Sequence, residues 1–200
     1  KLNLFGHSMG SFVVRLTVAK YGSDYNSLVV CGSGAKDKKV ALGLFILKIL
    51  RFFKGKDYKS RFIDKSSFGS YNARIQKPET PYDWVSVNKQ NVKNYVESPY
   101  CGFLFSVDGY KMLMEVNRDS NKSLTFKNTP SKLPIFLIAG SEDPVGHYGK
   151  DIPKVCQEYK KAGIKDCNFK LYEPFRHEIL LDDCANEVQK DILGFLEKNA

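Results

Sequence analysis

The chain has 200 residues, 42% of them hydrophobic and 26% charged, a composition that excludes a disordered or collagen-like protein and suits one globular domain, with or without an insertion. Its net charge is +9, and most of the positive excess lies between residues 34 and 132. The longest apolar run, residues 40–47, is too short to cross a bilayer, and no signal peptide is predicted.

The five cysteines show neither a CxxC pair nor a metal-ligand spacing. Their odd number favours reduced thiols in a cytoplasmic protein, and no metal site is expected. The basic middle of the chain carries no recognised nucleic-acid-binding motif, so nucleic acid is not an expected partner. A solubilising surface and attraction to anionic head groups both remain open as interpretations of the charge.

The first segment, residues 1–33, predicts strand, turn, helix and strand. An apolar run at residues 2–5 is typical of a buried parallel strand, and apolar residues at helical spacing follow the turn. Gly22 stands where a C′ glycine would end that helix, and residues 27–31 predict the next strand.

The turn carries the pentapeptide GHSMG at residues 6–10, a Gly-x-Ser-x-Gly pattern. A strand that turns at once into a helix exposes the side chain at the turn, and the flanking glycines let the backbone pass. The hydroxyl of Ser8 would then lie near a helix N-terminus, where developing negative charge is favoured. Taken alone, the pattern is a weak signal, and a Gly-rich turn between strand and helix without any chemistry is the alternative interpretation.

Residues 34–131 break the strand–helix alternation. A strongly apolar helix is predicted over residues 40–53, followed by aromatic-rich short helices and turns. We interpret this segment as an inserted helical cap whose apolar faces lie over the main domain. Phe45, Ile49 and Phe53 are candidates for a wall that holds an acyl chain, although simple packing explains each of them at least as well.

Residues 132–200 resume the alternation. A continuous apolar run at residues 133–140 predicts a strand covered on both faces, and residues 168–172 alternate like a strand nearer an edge. Helices are predicted over residues 150–162 and near the end of the chain. The expected fold is therefore α/β, with a mostly parallel sheet flanked by helices.

A serine nucleophile needs a base to take its proton. Of the three histidines, His177 follows the last predicted strand, so it should lie on the same rim of the sheet as Ser8 and is the candidate base. His7 should point away from the serine and support the turn, and His147 is ambiguous.

The base needs an acid that fixes its tautomer. Glu142 and Asp143 both follow the strongest predicted strand. Asp143 is favoured because Pro144 disfavours helical geometry at that position and fixes a turn. A helix-capping aspartate is the alternative interpretation.

The chain order Ser8, Asp143, His177 is the order of the α/β-hydrolases. The chain resembles that superfamily and, within it, the serine aminopeptidase S33, lysophospholipase and monoacylglycerol lipase-like group. The segments that carry the resemblance are GHSMGS at residues 6–11, GSEDPVG at 140–146 and RHE at 176–178, with DW at 83–84 and PYCGF at 99–103.

The resemblance implies that Ser8 attacks an ester carbonyl, that His177 moves the proton and that Asp143 orients His177. It also implies that the N–H of Met9 is one oxyanion donor and that no cofactor is needed. A lipid ester, either a lysophospholipid or a monoacylglycerol, is the expected substrate, with peripheral contact to an anionic membrane as an expected interaction. Small carboxylesters, peptides with a free N-terminus, a non-catalytic binding module and a membrane-associating protein remain open.

In that fold the nucleophile follows the fifth strand, so the earlier strands and the second oxyanion donor are expected upstream of Lys1. By this expectation the chain is the C-terminal part of the fold, with core segments 1–33 and 132–200 and the cap at 34–131. Such a piece alone should be poorly soluble or inactive, because loss of one oxyanion donor costs about a hundred- to a thousandfold in rate.

Overall fold

The computed structural model describes residues 2–200, so Lys1, at which the predicted first segment begins, lies outside the described residues. Within that range one sheet is formed by four parallel strands in sequential order, which confirms the predicted parallel sheet. The strands are β1 Leu2–His7, β2 Tyr25–Cys31, β3 Ile135–Gly140 and β4 Cys167–Tyr172. All four carboxyl ends therefore meet at one edge of the sheet.

Eight α-helices accompany the sheet in the described range. They are α1 Met9–Tyr21, α2 Lys39–Lys54, α3 Arg61–Phe68, α4 Lys89–Glu97, α5 Val107–Ser120, α6 Ser123–Asn128, α7 Asp151–Lys161 and α8 Ala185–Lys198. None of the helices within residues 2–200 has the length and apolar character needed to cross a membrane.

The sheet has a hydrophobic layer on each face because successive side chains of a strand point to opposite sides. Leu28 and Val30 of β2 pack with residues of α1 and α7 in one layer. Val29 and Cys31 pack on the other face, where Val188 of α8 completes the layer. Both faces of β2 and β3 are thus covered, which explains their continuous apolar sequences.

Helix α1 ends at Tyr21, directly before Gly22 as predicted, but Gly22 does not have the left-handed conformation of a C′ glycine. Its φ is −63°, and it begins a short 3-10 helix over Gly22–Asp24. A Cβ on Gly22 would lie 2.5 Å from Cδ of Pro130. The position lacks a side chain because the chain leading into β3 passes directly against it.

Helices α2 to α6 lie between β2 and β3 and form what we call the helical segment. It has a small core of its own, built from Leu47, Ile63, Val107 and Tyr110. Helix α2 packs on α5, and α5 packs on α1. Only part of the apolar surface of α2 is covered in this way, and five large apolar side chains of that helix remain exposed: Leu42, Phe45, Ile49, Phe52 and Phe53.

Candidate active site

Ser8 occupies a strained turn between β1 and α1. Its φ of 55° and ψ of −124° lie in a region that costs a residue with a side chain about 1–3 kcal/mol. Its N–H donates to the carbonyl of Cys31 at 3.0 Å, and its own carbonyl accepts from the N–H and the hydroxyl of Ser11 at 2.9 and 2.5 Å. The Ser8 side chain makes no capping hydrogen bond to α1, so its hydroxyl is not committed to the helix.

The two glycines of the pentapeptide differ in how much space a side chain would have. A Cβ on Gly6 would lie 2.5 Å from the carbonyl oxygen of Gly10 and 2.6 Å from Cγ2 of Val14. A Cβ on Gly10 would meet nothing within 4 Å. Only the first glycine is therefore required for space, because strand and helix touch there.

Met9 is the first residue of α1, so its N–H has no partner within the helix. The N–H groups of the first turn lie at the positive end of the helix dipole, beside Ser8. This location suits a donor to a developing oxyanion.

His177 and Asp143 form a buried pair. Nδ1 of His177 lies 2.9 Å from Oδ2 of Asp143, and the second carboxylate oxygen accepts the N–H of Val145 at 2.9 Å. Asp143 has no exposed surface and His177 is 4% exposed. When Nδ1 carries the proton that it donates to Asp143, Nε2 of the neutral ring is left as an acceptor.

The electrostatics of this pair keep the imidazole basic. Burial of His177 lowers its pKa, because a charged ring is poorly solvated there. The charge and the hydrogen bond of Asp143 more than offset burial, so the pKa of His177 is raised above its usual range. The pair can therefore accept a proton and hold the resulting positive charge.

The end of β2 brings the serine turn and the pair together. The carbonyl of Cys31 accepts the N–H of Ser8, and the next residue, Gly32, lies against the His177 ring. A Cβ on Gly32 would be 3.1 Å from Cε1 of that ring, and the φ of Gly32 is +58°. Ser8, His177 and Asp143 thus share one edge of the sheet, as the sequence order predicts. Nothing in the sequence around Gly32 indicates that it contacts the histidine.

The other two histidines have different partners. Nε2 of His7 donates to the carbonyl of His177 at 3.1 Å, and the two rings are 4.6 Å apart. Burial, followed by the charge of His177, lowers the pKa of His7 to about 4, so this ring is neutral at pH 7. Nδ1 of His147 instead lies 2.5 Å from Oδ2 of Asp151. Neither histidine partners Asp143.

Glu142, the alternative acid, has Arg74 and not the histidine as its partner. Its carboxylate lies 3.6 Å from the guanidinium of Arg74, whose plane covers the ring of Tyr148 at 3.7 Å. Of the two carboxylates that the sequence leaves open, Asp143 is the one in contact with His177.

Trp84 covers the histidine from the helical segment, and its location could not be derived from the spacing of residues. The Trp84 and His177 rings are 5.3 Å apart, and Tyr71 packs edge-on against Trp84 at 4.9 Å. The only signal in the sequence is the DW dipeptide at residues 83–84, which belongs to the segments that carry the resemblance.

A cavity of about 330 Å³ lies between the helical segment and the loops after β3 and β4. Its walls include Tyr71, Arg74, Trp84, Glu142, Tyr148 and Arg176. A second cavity of about 340 Å³ lies between α2 and α5, with Leu44 and Lys48 in its wall.

The candidate acyl-wall residues line neither of these two cavities. Phe45, Ile49 and Phe53 are 60%, 44% and 73% exposed on the outside of α2. The inward face of that helix is occupied by Leu47. Within residues 2–200, no group of three His, Cys, Asp or Glu side chains is arranged to hold a metal ion.

Comparison with solved structures confirms the α/β-hydrolase fold. A highly thermostable carboxyl esterase from Bacillus coagulans is 27% identical, with a TM-score of 0.90 over 98% of this chain and 64% of that chain. A monoacylglycerol lipase from Paleococcus ferrophilus is 18% identical, with a TM-score of 0.72 over 99% of this chain and 68% of that chain. A monoglyceride lipase from Saccharomyces cerevisiae is 17% identical, with a TM-score of 0.69 over 98% of this chain and 61% of that chain.

The chain thus spans about 64% of the length of the Bacillus coagulans esterase that it matches. No curated protein matches the sequence significantly. A family model described as serine aminopeptidase, S33, matches residues 1–184, which is most of the chain. The chain therefore belongs to the serine aminopeptidase S33 family of the α/β-hydrolase superfamily.

Proposed function

We propose that this chain carries the nucleophile, base and acid of a serine hydrolase that cleaves carboxylic esters. The observation that supports this most directly is the buried 2.9 Å hydrogen bond between His177 and Asp143, on the same sheet edge as the strained turn at Ser8. The fold gives no reason to bury such a polar pair beside the turn at Ser8. Acyl transfer, in contrast, requires a base and an acid at this place.

The reaction begins when Oγ of Ser8 attacks the ester carbonyl carbon and Nε2 of His177 takes the hydroxyl proton. The carbonyl oxygen becomes an oxyanion, to which the N–H of Met9 donates. The tetrahedral intermediate expels the alcohol, which receives the proton from His177, and leaves an acyl group on Ser8. Water then attacks the acyl-enzyme with His177 again as base, releasing the carboxylic acid and restoring the serine. Asp143 holds Nδ1–H and stabilises the imidazolium.

The helical segment acts as a cap that selects the substrate, and a lipid ester suits its surface best. The exposed apolar side chains of α2 include Phe45 and Phe53, while Lys48, Arg51 and Lys54 give the same helix a positive charge. Such a surface favours an ester drawn from an anionic membrane by peripheral contact. Monoacylglycerols and lysophospholipids both fit this description. The similarity in structure to a monoacylglycerol lipase and a monoglyceride lipase supports monoacylglycerols as the proposed substrates.

Labelling with a fluorophosphonate probe tests the proposal, using the full chain together with any sequence that flanks residues 1–200 in the natural protein. We expect labelling in the wild type and none in Ser8→Ala, accompanied by hydrolysis of p-nitrophenyl esters. Absence of labelling in a folded wild type would support a non-catalytic binding module instead. Turnover of amino-acid p-nitroanilides in preference to esters would indicate an aminopeptidase.

The same assay on residues 1–200 alone tests the prediction that this piece by itself is poorly soluble or inactive. Normal ester turnover by that piece would overturn the prediction.

A further inference from the structure

The loop that carries His177 is tied to the helical segment on both sides of the histidine. We propose that Arg176 and Asp182 are positioning residues, which hold His177 in place through hydrogen bonds to residues 83–88 of the helical segment. This inference rests on the proposed serine hydrolase activity. We call this set of hydrogen bonds the histidine-loop clamp.

The first half of the clamp involves the two residues next to His177. Nη1 of Arg176 donates to the carbonyls of Asp83 and Ser86 at 2.7 and 2.8 Å. The N–H of Glu178 donates to the carbonyl of Val85 at 2.8 Å. Both neighbours of His177 are therefore bound to the same short stretch of backbone, so the histidine between them has little freedom to shift.

That stretch also carries Trp84, whose ring covers His177 at 5.3 Å. The carbonyls that Arg176 binds belong to Asp83 and Ser86, on either side of the tryptophan. One guanidinium group thus fixes the backbone on both sides of the tryptophan whose ring covers the imidazole. Two bonds to carbonyls in a fixed geometry suit the planar guanidinium better than a flexible ammonium group.

The second half of the clamp is the carboxylate of Asp182, which is 4% exposed. It accepts the N–H groups of Val87 at 2.9 Å and Asn88 at 3.2 Å, and that of Asp183 at 2.9 Å. Asn88 in turn caps α4, accepting from the N–H groups of Gln90 and Asn91 at 2.9 and 3.1 Å. The Asp182 charge therefore lies at the N-terminus of a helix, where the helix dipole stabilises it.

The rim of the clamp adds two side-chain contacts. Nδ2 of Asn91 donates to Oε2 of Glu178 at 3.1 Å, and Nδ2 of Asn88 donates to Oδ1 of Asp183 at 2.6 Å. The clamp therefore extends from one residue before His177 to six residues after it. The carboxylate of Asp143 reaches the histidine from a different loop, so their 2.9 Å contact depends on both loops being held in register.

A loosened clamp should lower the turnover rate more than it weakens substrate binding. A displacement of about 1 Å at a catalytic group can cost about a hundredfold in rate, even when the change lies away from the chemistry. The side chains of Arg176 and Asp182 bind backbone groups and not the side chains of His177 or Asp143, so KM for a small soluble ester should change little.

The test compares Arg176→Gln, Arg176→Lys and Asp182→Asn with the wild type. Asp191→Asn is the matched control: its carboxylate binds Lys170 and Tyr172 of β4 and makes no hydrogen bond to a clamp residue. We would measure kcat and KM with p-nitrophenyl butyrate, thermal unfolding, and the far-downfield proton NMR signal of His177 Nδ1–H. That signal reports the hydrogen bond to Asp143 in the folded protein and does not depend on turnover.

We expect kcat to fall about ten- to a hundredfold in Arg176→Gln and Asp182→Asn, with KM changed less than about threefold. The downfield signal should broaden or move upfield in both variants, and Arg176→Lys should recover part of both properties. Asn91→Ala, which removes only a rim contact, should move the signal slightly in the same direction. This milder variant keeps the test decisive if Arg176→Gln does not fold.

The proposal is overturned if the folded clamp variants match Asp191→Asn in both kcat and the downfield signal, or if kcat falls while the signal stays unchanged. It is also overturned if the wild type shows no such signal, because the His177–Asp143 bond is then not held in solution. Failure of the proposed hydrolase activity is recognised separately, by a wild type that does not react with the fluorophosphonate probe yet keeps the signal.

Discussion

The loops after the strands differ from the helical segment between β2 and β3 in the burial and pairing of their side chains. In the loops, the polar groups around His177 are buried and hydrogen-bonded. The carboxylates of Asp143 and Asp182, for example, each accept a backbone N–H. In the helical segment, α2 leaves aromatic side chains such as Phe52 and Phe53 largely exposed. A region with every polar group satisfied has one geometry, whereas exposed apolar groups still have a surface to bury. The proposed chemistry thus lies in the loops, and the proposed access of substrate lies at the exposed apolar surface of α2.

Substitution of Asp143 by Asn tests the fixed region most severely. The side chain keeps its shape, but the wrong tautomer of His177 is favoured, so kcat should fall about ten-thousandfold. In the wild type, kcat/KM should rise with pH through a midpoint above about 6.5, because the base must lose its proton and the pKa of His177 is raised. Without the carboxylate charge, the midpoint of the residual activity should move to lower pH.

Glu142→Gln is the adjacent control, since that carboxylate contacts Arg74 and not the histidine. It should keep activity within a few-fold. Equal losses in both variants would show that the loop, and not the pairing with His177, is what the reaction needs.

The two glycines of the pentapeptide offer a matched pair of backbone variants. Gly6→Ala places a methyl group 2.5 Å from the carbonyl of Gly10, so the turn must shift and move Ser8. We expect a loss of about a hundredfold in fluorophosphonate labelling rate. Gly10→Ala, which enters open space, should label close to the wild-type rate. Similar rates for both variants would contradict the contact between strand and helix.

His7 should make the folded protein sensitive to acid. Its pKa is about 4 when folded and about 6.5 when unfolded, so the unfolded chain takes up the proton first as the pH falls. The stability that depends on neutral His7 is present above about pH 6.5 and declines toward the folded pKa, by about 3 kcal/mol between pH 7 and pH 4. Urea unfolding of the wild type and of His7→Asn at both pH values measures this difference. Identical acid sensitivity in the two proteins would exclude His7 as the source.

Substitution of the exposed aromatic side chains of α2 should have the smallest effect, and it should change only the access of lipid substrates to the site. Phe45→Ser combined with Phe53→Ser should lower binding to anionic vesicles and hydrolysis of long-chain esters by a few-fold to about tenfold, while turnover of a short soluble ester is preserved. Leu193→Ser, an exposed apolar residue on α8, is the control and should leave vesicle binding unchanged. If short and long esters suffer alike, α2 is not a separate access surface.

The sequence predicts the loops better than the helical segment, for a physical reason. Strands are predicted from apolar or alternating runs, and the residue after the carboxyl end of a parallel strand must lie at the sheet edge, which is how Ser8, Asp143 and His177 are located. Of the strands that precede them, β3 is buried on both faces, whereas β1 leaves Leu2 and Phe5 exposed, contrary to the prediction of a buried strand. Helix α2 is apolar nearly all round, so its sequence does not say which side is covered, and in the structure only Leu47 is fully buried.

Contacts between distant segments are the other part that the sequence hides. Asp182 binds backbone groups that are 94 and 95 positions away along the chain, and nothing local at Asp182 distinguishes it from its neighbour Asp183. Gly22 likewise predicts a helix end in the sequence, but the structure shows that a glycine is required there because Pro130 lies against it. Such roles follow from the packing of helices on loops, which periodicity does not encode.

The interval between β2 and β3 also bears on how the chain folds. These central strands pair in parallel only after about 100 intervening residues have been gathered, against about a dozen for an ordinary crossover. Closing the longer loop costs only about 2 kcal/mol more in chain entropy. The larger penalty is in time, because pairing across such a separation is slow and leaves the apolar edge of β2 uncovered meanwhile. A chaperone that shields β1 and β2 until β3 is synthesised should therefore raise the yield of folded protein without changing its final stability.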